Sequence, residues 1–229
     1  ADVLALVASR AVPGVSTSPP QPGGDLTWGN LVFHWHTVPL PPPAQARKWA
    51  PDSSSGVIVA NLGVRDLFDW IRESIGTPGP RDQGLRNALE GLEQLEKAGF
   101  FSDFLPRIES GMTVVTGLEE EQGRVYTTVA LIVPSKNAQG AVDGLTGVIR
   151  KIGGAMAEKP DFLMSQSVEN TVMHGWTWPK AFGWRDLFQP RYAALEDAFV
   201  FGNNGKFVEA VIRASVHGDG VESSPGFRK

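Results

Sequence analysis

The chain has 229 residues, 41% of them hydrophobic, with a formal net charge of −4 and an isoelectric point near 5.6. That apolar content can bury a sizeable core and excludes disorder throughout, while the scattered lysines and arginines of an acidic chain argue against binding a phosphate backbone. With no cysteine there is no disulfide framework, thiolate nucleophile or Cys-based metal site, and no run approaches the roughly 20 apolar residues that a membrane-spanning helix needs.

The chain starts at Ala1 rather than methionine, which fits either a cleaved mature form or a fragment. Residues 13–25 (PGVSTSPPQPGGD) read as a surface loop, and 31–38 (LVFHWHTV) as a strand from their aromatic and β-branched content. The PLPPP run over 39–43 stops that strand, because each proline lacks an amide donor and has its φ fixed. Ser53–Gly56 predicts a turn before the apolar strand at 57–60. Val64, Leu67, Phe68, Ile71 and Ile75 then fall on one face of an α-helix. After the break at 76–80, Leu85, Ala88, Leu89, Leu92 and Leu95 repeat the pattern until Gly99 ends it.

Residues 112–117 and 124–133 predict a β-hairpin with an acidic tip at 118–123. A helix follows over 138–152, with Asn137 placed to cap it. Two further hairpins are expected, 162–168 with 171–178 about Glu169-Asn170, and 192–195 with 198–201 about Glu196-Asp197. Paired strands interrupted by single helices give an α+β fold, a mainly antiparallel sheet with amphipathic helices packed on it. The expected organisation is one domain over 1–229. It divides into a Pro/Gly-rich arm with strands (1–55), a strand with a helical pair (56–110), hairpins and helices (111–215) and a flexible tail (216–229).

One unit recurs. VIVANLGVRDLFDWIRE from Val57, ALIVPSKNAQGAVDGLTGVIRK from Ala130 and AFVFGNNGKFVEAVIRA from Ala198 each read as strand, Asn-containing turn and amphipathic helix. Each helix carries Ile-Arg late, at Ile71-Arg72, Ile149-Arg150 and Ile212-Arg213, where a cation complements the last carbonyls. Their unequal spacing excludes a solenoid. The order of elements, ending in PRYAALEDAFVFG over 190–202 and a short terminal helix, resembles an uncharacterised bacterial family of extracytoplasmic, often membrane-tethered proteins. Its members carry a Tyr-Ala-x-x-Asp-Gly-x-x-Val-x-Gly hairpin. The resemblance covers about 112–215 and more loosely 57–104, with Ala198 standing where the family has glycine after the aspartate. It implies an extracytoplasmic location, periplasm or cell surface, and a possible association with a membrane complex. It supplies no catalytic residues.

Candidate chemistry is sparse. The loop GNNGKF at 202–207 lacks the four-residue spacing between glycines and the Lys-Ser/Thr pair of a phosphate loop, so it reads as a turn whose glycines and asparagines offer positive φ and a helix cap. His34 and His36 flank Trp35 and would share a strand face about 7 Å apart. They are the candidate metal ligands, against the reading of a solvated strand face. Glu119, Glu120 and Glu121 read as a solvated tip. No Gly-x-Ser-x-Gly or His-Glu-x-x-His motif occurs, and no catalytic residue and no cofactor is assigned. The segment 176–192 concentrates Trp176, Trp178, Phe182, Trp184, Phe188 and Tyr192 in 17 residues broken by Pro179, Gly183 and Pro190. Aromatic loops of this kind either close a core or face a partner. The resulting expectation is a non-enzymatic extracytoplasmic or surface-associated protein acting through protein–protein contacts, a structural or accessory subunit, with these six aromatics as the partner surface. The alternative is a small-ligand or metal-binding module at His34 and His36.

Overall fold

The computed structural model describes residues 25–28, 31–34, 48–60, 64, 68, 83–121, 123–156, 162–176, 188–218 and 220. Its centre is one seven-stranded sheet in the order β3-β4-β5-β9-β8-β7-β6, with every neighbouring pair antiparallel. The strands are β3 (Ser54–Ala60), β4 (Met112–Glu121), β5 (Arg124–Pro134), β6 (Leu163–Val168), β7 (Thr171–Trp176), β8 (Arg191–Ala194) and β9 (Ala198–Gly202). A separate two-stranded hairpin joins β1 (Asp25–Trp28) to β2 (Leu31–His34). The helices are α1 (Gln83–Ala98), α2 (Ala138–Met156) and α3 (Gly205–His217). The α+β class with a mainly antiparallel sheet is therefore the fold.

Period-2 alternation divides the core between the two faces of the sheet. One face puts Val115, Ala130, Ile132, Ala193 and Val200 against Phe207, Val208, Val211 and Ile212 of α3, with Trp49 beside them. The other puts Tyr192 and Phe199 against Ala141, Val142, Leu145 and Val148 of α2, together with Ala98 at the end of α1. Gly99, at φ 92, ends α1 as expected and leads into a single π-helical turn, Phe100–Phe104, followed by a 3-10 turn, Leu105–Arg107. Phe100 and Phe104 point inward there, and Phe104 meets Phe199 of β9 edge-on at 5.1 Å, a favoured arrangement for aromatic quadrupoles.

Both later hairpins form about the predicted residues. Val168 pairs with Thr171 across Glu169-Asn170, where Glu169 alone has positive φ, at 52. Leu195 N donates to Ala198 O across Glu196-Asp197 at 2.8 Å. Both asparagine caps also form, with Gly140 N donating to Asn137 Oδ1 at 2.9 Å and Phe207 N to Asn204 Oδ1 at 3.0 Å. Of the predicted helix at 64–75, Val64 and Phe68 are described and both are helical.

Four readings need correction. Asp25 belongs to β1 rather than to a loop, and Ser54–Gly56 belongs to β3 with a register shift between Ser54 and Gly56, rather than to a turn. The Glu119–Glu121 run is strand, pairing with 124–126, because β4 continues to the very end of a tight hairpin. Gly202 and Gly205 do not have positive φ. The loop between them is organised by its asparagines instead: Asn203 Oδ1 accepts from Val129 N at 2.8 Å and its Nδ2 donates to Thr127 O at 3.2 Å, so its side chain continues the ladder onto β5. Of the three strand–turn–helix units, the two that follow from β5 and β9 form, and their helices α2 and α3 pack on opposite faces of the sheet.

Candidate functional site

The aromatic segment is only partly a surface. Tyr192 is wholly buried in β8 beneath α2, which corrects its assignment to a partner-facing surface. Its hydroxyl lies 2.9 Å from Thr146 Oγ1 of α2, a hydroxyl that also lies 2.8 Å from Val142 O. Burial pushes the Tyr192 phenol above its ordinary value, with Thr146 and Arg150 opposing the shift. Trp176, half-buried at the end of β7, stacks at a tilt on Tyr192 and on Phe201 with centroids 6.3 and 6.0 Å apart. Phe188 is half-buried. Trp178, Phe182 and Trp184 lie outside the described residues, as does His36. His34 is the last residue of β2, opposite Asp25. Among the described residues no three His, Asp or Glu side chains come together as a metal site.

What sequence reading missed is the outer edge to which this aromatic core leads. Cross-strand register places Ser165 of β6, His174 of β7, Tyr192 of β8 and Phe201 of β9 in one transverse row on the α2 side of the sheet. Along it the environment changes from an exposed hydroxyl through a half-buried imidazole to a buried phenol. Ser165 Oγ lies 3.0 Å from His174 Nδ1, and the imidazole stacks on Tyr192 with centroids 5.6 Å apart. Burial holds His174 below its ordinary value, Asp143 of α2 opposing and Arg150 adding to the shift. A neutral imidazole beside a serine hydroxyl has the elements of a base and nucleophile, but a triad also needs its imidazole oriented by a third group. Among the described residues none bonds His174 Nε2, so the pair is a cross-strand contact of the kind that register alone produces.

The edge itself is the more distinctive feature. Among the described residues β6 pairs on one side only, with β7, and Met164, Ser165, Gln166 and Ser167 are four consecutive exposed residues. Beside them on β7, Val172 is 49% exposed, and Met164 is 41% exposed. The opposite end of the strand is anchored: Glu169 in the β6–β7 turn accepts from Arg213 Nη1 of α3 at 3.2 Å, and Arg213 Nη2 also reaches Glu209 at 2.8 Å. A strand held at its turn thus presents a row of backbone donors and acceptors that no described strand pairs with. Only the position of β6 in the sheet makes it so, and LMSQSV carries no signal of that position. A comparison with known proteins finds no matching family model, no matching curated protein and no matching solved structure.

Proposed function

We propose that the protein is a non-enzymatic, extracytoplasmic or surface-associated subunit that works through protein–protein contacts, with β6 and the adjoining face of β7 as its contact surface. One observation carries the reading: an uncharged sheet edge of six residues has four of them in succession exposed. Backbone groups at such an edge give affinity to any extended strand laid along it, and side chains on either face select which strand is accepted. Met164 and Val172 supply apolar area beside the hydrogen-bonding row. Trp176 supports it from behind, by packing β7 against Tyr192 and Phe201. The family resemblance along 112–215 favours the same kind of role and the extracytoplasmic location.

The test uses the immobilised full chain and an envelope extract, with Gln166→Lys as the comparison. Lysine on an exposed edge keeps the fold and opposes strand addition. A partner retained by the wild type and lost by the variant is the expected result. Identical recovery from both proteins would remove β6 as the contact surface.

A further inference from the structure

Building on the contact reading above, we propose that the strand taken up by β6 is β6 of a second copy of this chain, added antiparallel about a two-fold axis through Gln166. Monomeric proteins protect sheet edges with charge, proline, bulges or short strands. β6 uses none of the first three: its sequence is LMSQSV, and its register with β7 is unbroken from Leu163↔Trp176 to Val168↔Thr171.

The alternation of faces limits the register to axes that pass through a residue, and the side chains then opposed select Gln166. Val168 lies on the α3 side in the core with Met173, and Gln166 is the cross-strand partner of Met173, so Met164, Gln166 and Val168 share that side. A two-fold axis perpendicular to the sheet keeps like faces together, so only residues of equal parity can stand opposite each other. With the axis at Gln166, Met164 stands opposite Val168 of the partner subunit and Ser165 opposite Ser167 of the partner subunit. Gln166 meets its own equivalent. The exposed thioether of each Met164 is covered by an aliphatic side chain, and two hydroxyl-bearing residues meet on the other face. The first charged side chain reached along the seam is Glu169, which stands opposite an apolar Leu163 and is paired at 3.2 Å with Arg213, an arginine it shares with Glu209. No like charges are brought together, and a copy of the chain is the one partner that always offers an edge of the same length and neutrality. The two seven-stranded sheets then join into one.

The absence of cysteine makes the register directly measurable in the full chain. Directly opposed residues of an antiparallel pair have Cα atoms about 4.5–5.5 Å apart, within disulfide range, whereas diagonal ones lie about 7–8 Å apart. Under mild oxidation Gln166→Cys should give a disulfide-linked dimer, and Ser165→Cys, diagonal to its own copy, should not. In sedimentation the wild type should run as a dimer and Gln166→Lys, with unchanged circular dichroism, as a monomer. A monomeric wild type, or equal cross-linking of the two cysteine variants, overturns the proposal. The two levels separate cleanly. A monomeric wild type whose envelope partner is lost on Gln166→Lys leaves the contact reading standing without self-pairing, whereas a dimer that retains no envelope protein leaves self-pairing standing alone.

Discussion

The loop Gly202-Asn203-Asn204-Gly205 between β9 and α3 contains two glycines for which the structure predicts opposite consequences of the same substitution. Neither has positive φ, so neither is there for left-handed backbone. A Cβ on Gly202 would stand 2.5 Å from Val208 Cγ2 and 3.0 Å from Val129 O, while the nearest atoms to one on Gly205 belong to the Arg191 side chain at 3.4 Å. Val208 is fully buried on the first turn of α3, and a β-branched side chain in a helix has one strongly preferred rotamer, so it cannot swing aside. The backbone carbonyl of Val129 is held in place by Asn203 N, which donates to it at 3.1 Å. Gly202→Ala should therefore cost the overpacking penalty of about 1–3 kcal/mol, a fall in Tm of roughly 2–12 °C at about 2–4 °C per kcal/mol for a chain this size. Gly205→Ala meets only ordinary contacts and should be neutral or stabilising by up to about 1 kcal/mol, by narrowing the unfolded ensemble. Thermal and urea unfolding of the two full-length variants beside the wild type decides the matter. Equal destabilisation by both would mean that the backbone needs glycine at each position. An unchanged Gly202→Ala would mean that α3 is free to move away from β5, and the close approach would lose its claim to position that helix.

Two further predictions concern the transverse row from β6 to β8. Tyr192→Phe removes the bond to Thr146 and should cost about 0.5–1.5 kcal/mol in urea unfolding. Because the folded phenol sits above its ordinary 10.0, the folded chain holds its proton where the unfolded chain has lost it, so the wild type should lose stability as pH rises through about 10, and the variant should lose less. His174 is the mirror case. Its folded value lies below the ordinary 6.5, so the unfolded chain binds more protons below about pH 7 and stability falls as pH drops through that window. His174→Gln should flatten this part of the wild-type pH profile, and parallel profiles for the two proteins would show that the imidazole is not held neutral by burial.

Local chemistry explains which parts of this fold can be read from sequence. The hairpins about Glu169-Asn170 and Glu196-Asp197 and the caps at Asn137 and Asn204 depend on residues within three or four positions of each other, and there composition carries the answer. Gly202 shows where such reading stops. A glycine before Asn-Asn resembles a turn glycine, yet its reason is Val208 of α3 and the carbonyl of Val129 on β5. The helix faces behave in the same way: the periodicity of α2 and α3 identifies their apolar stripes, but their packing on opposite faces of the sheet follows from strand order, which no local pattern encodes.

The candidate site follows from the same topology. Aromatic density in 176–192 is equally compatible with a core and a surface, and Tyr192 falls inside because it stands opposite Phe201 of β9 on the face that α2 covers. The exposure of β6, by contrast, follows from a single long-range pairing. After α2 the chain runs through β6, β7, β8 and β9 as successive antiparallel neighbours, and β9 pairs with β5. A meander that closes inward onto a strand already laid down must leave its first strand outermost. The 19 residues of α2 span about 28 Å, enough to carry the chain past the four strand spacings, about 19 Å, that separate β5 from that position. Once β5 is known to pair with β9, LMSQSV is outermost among the described strands, and its lack of charge changes from an unremarkable composition into the property on which the proposed strand pairing rests.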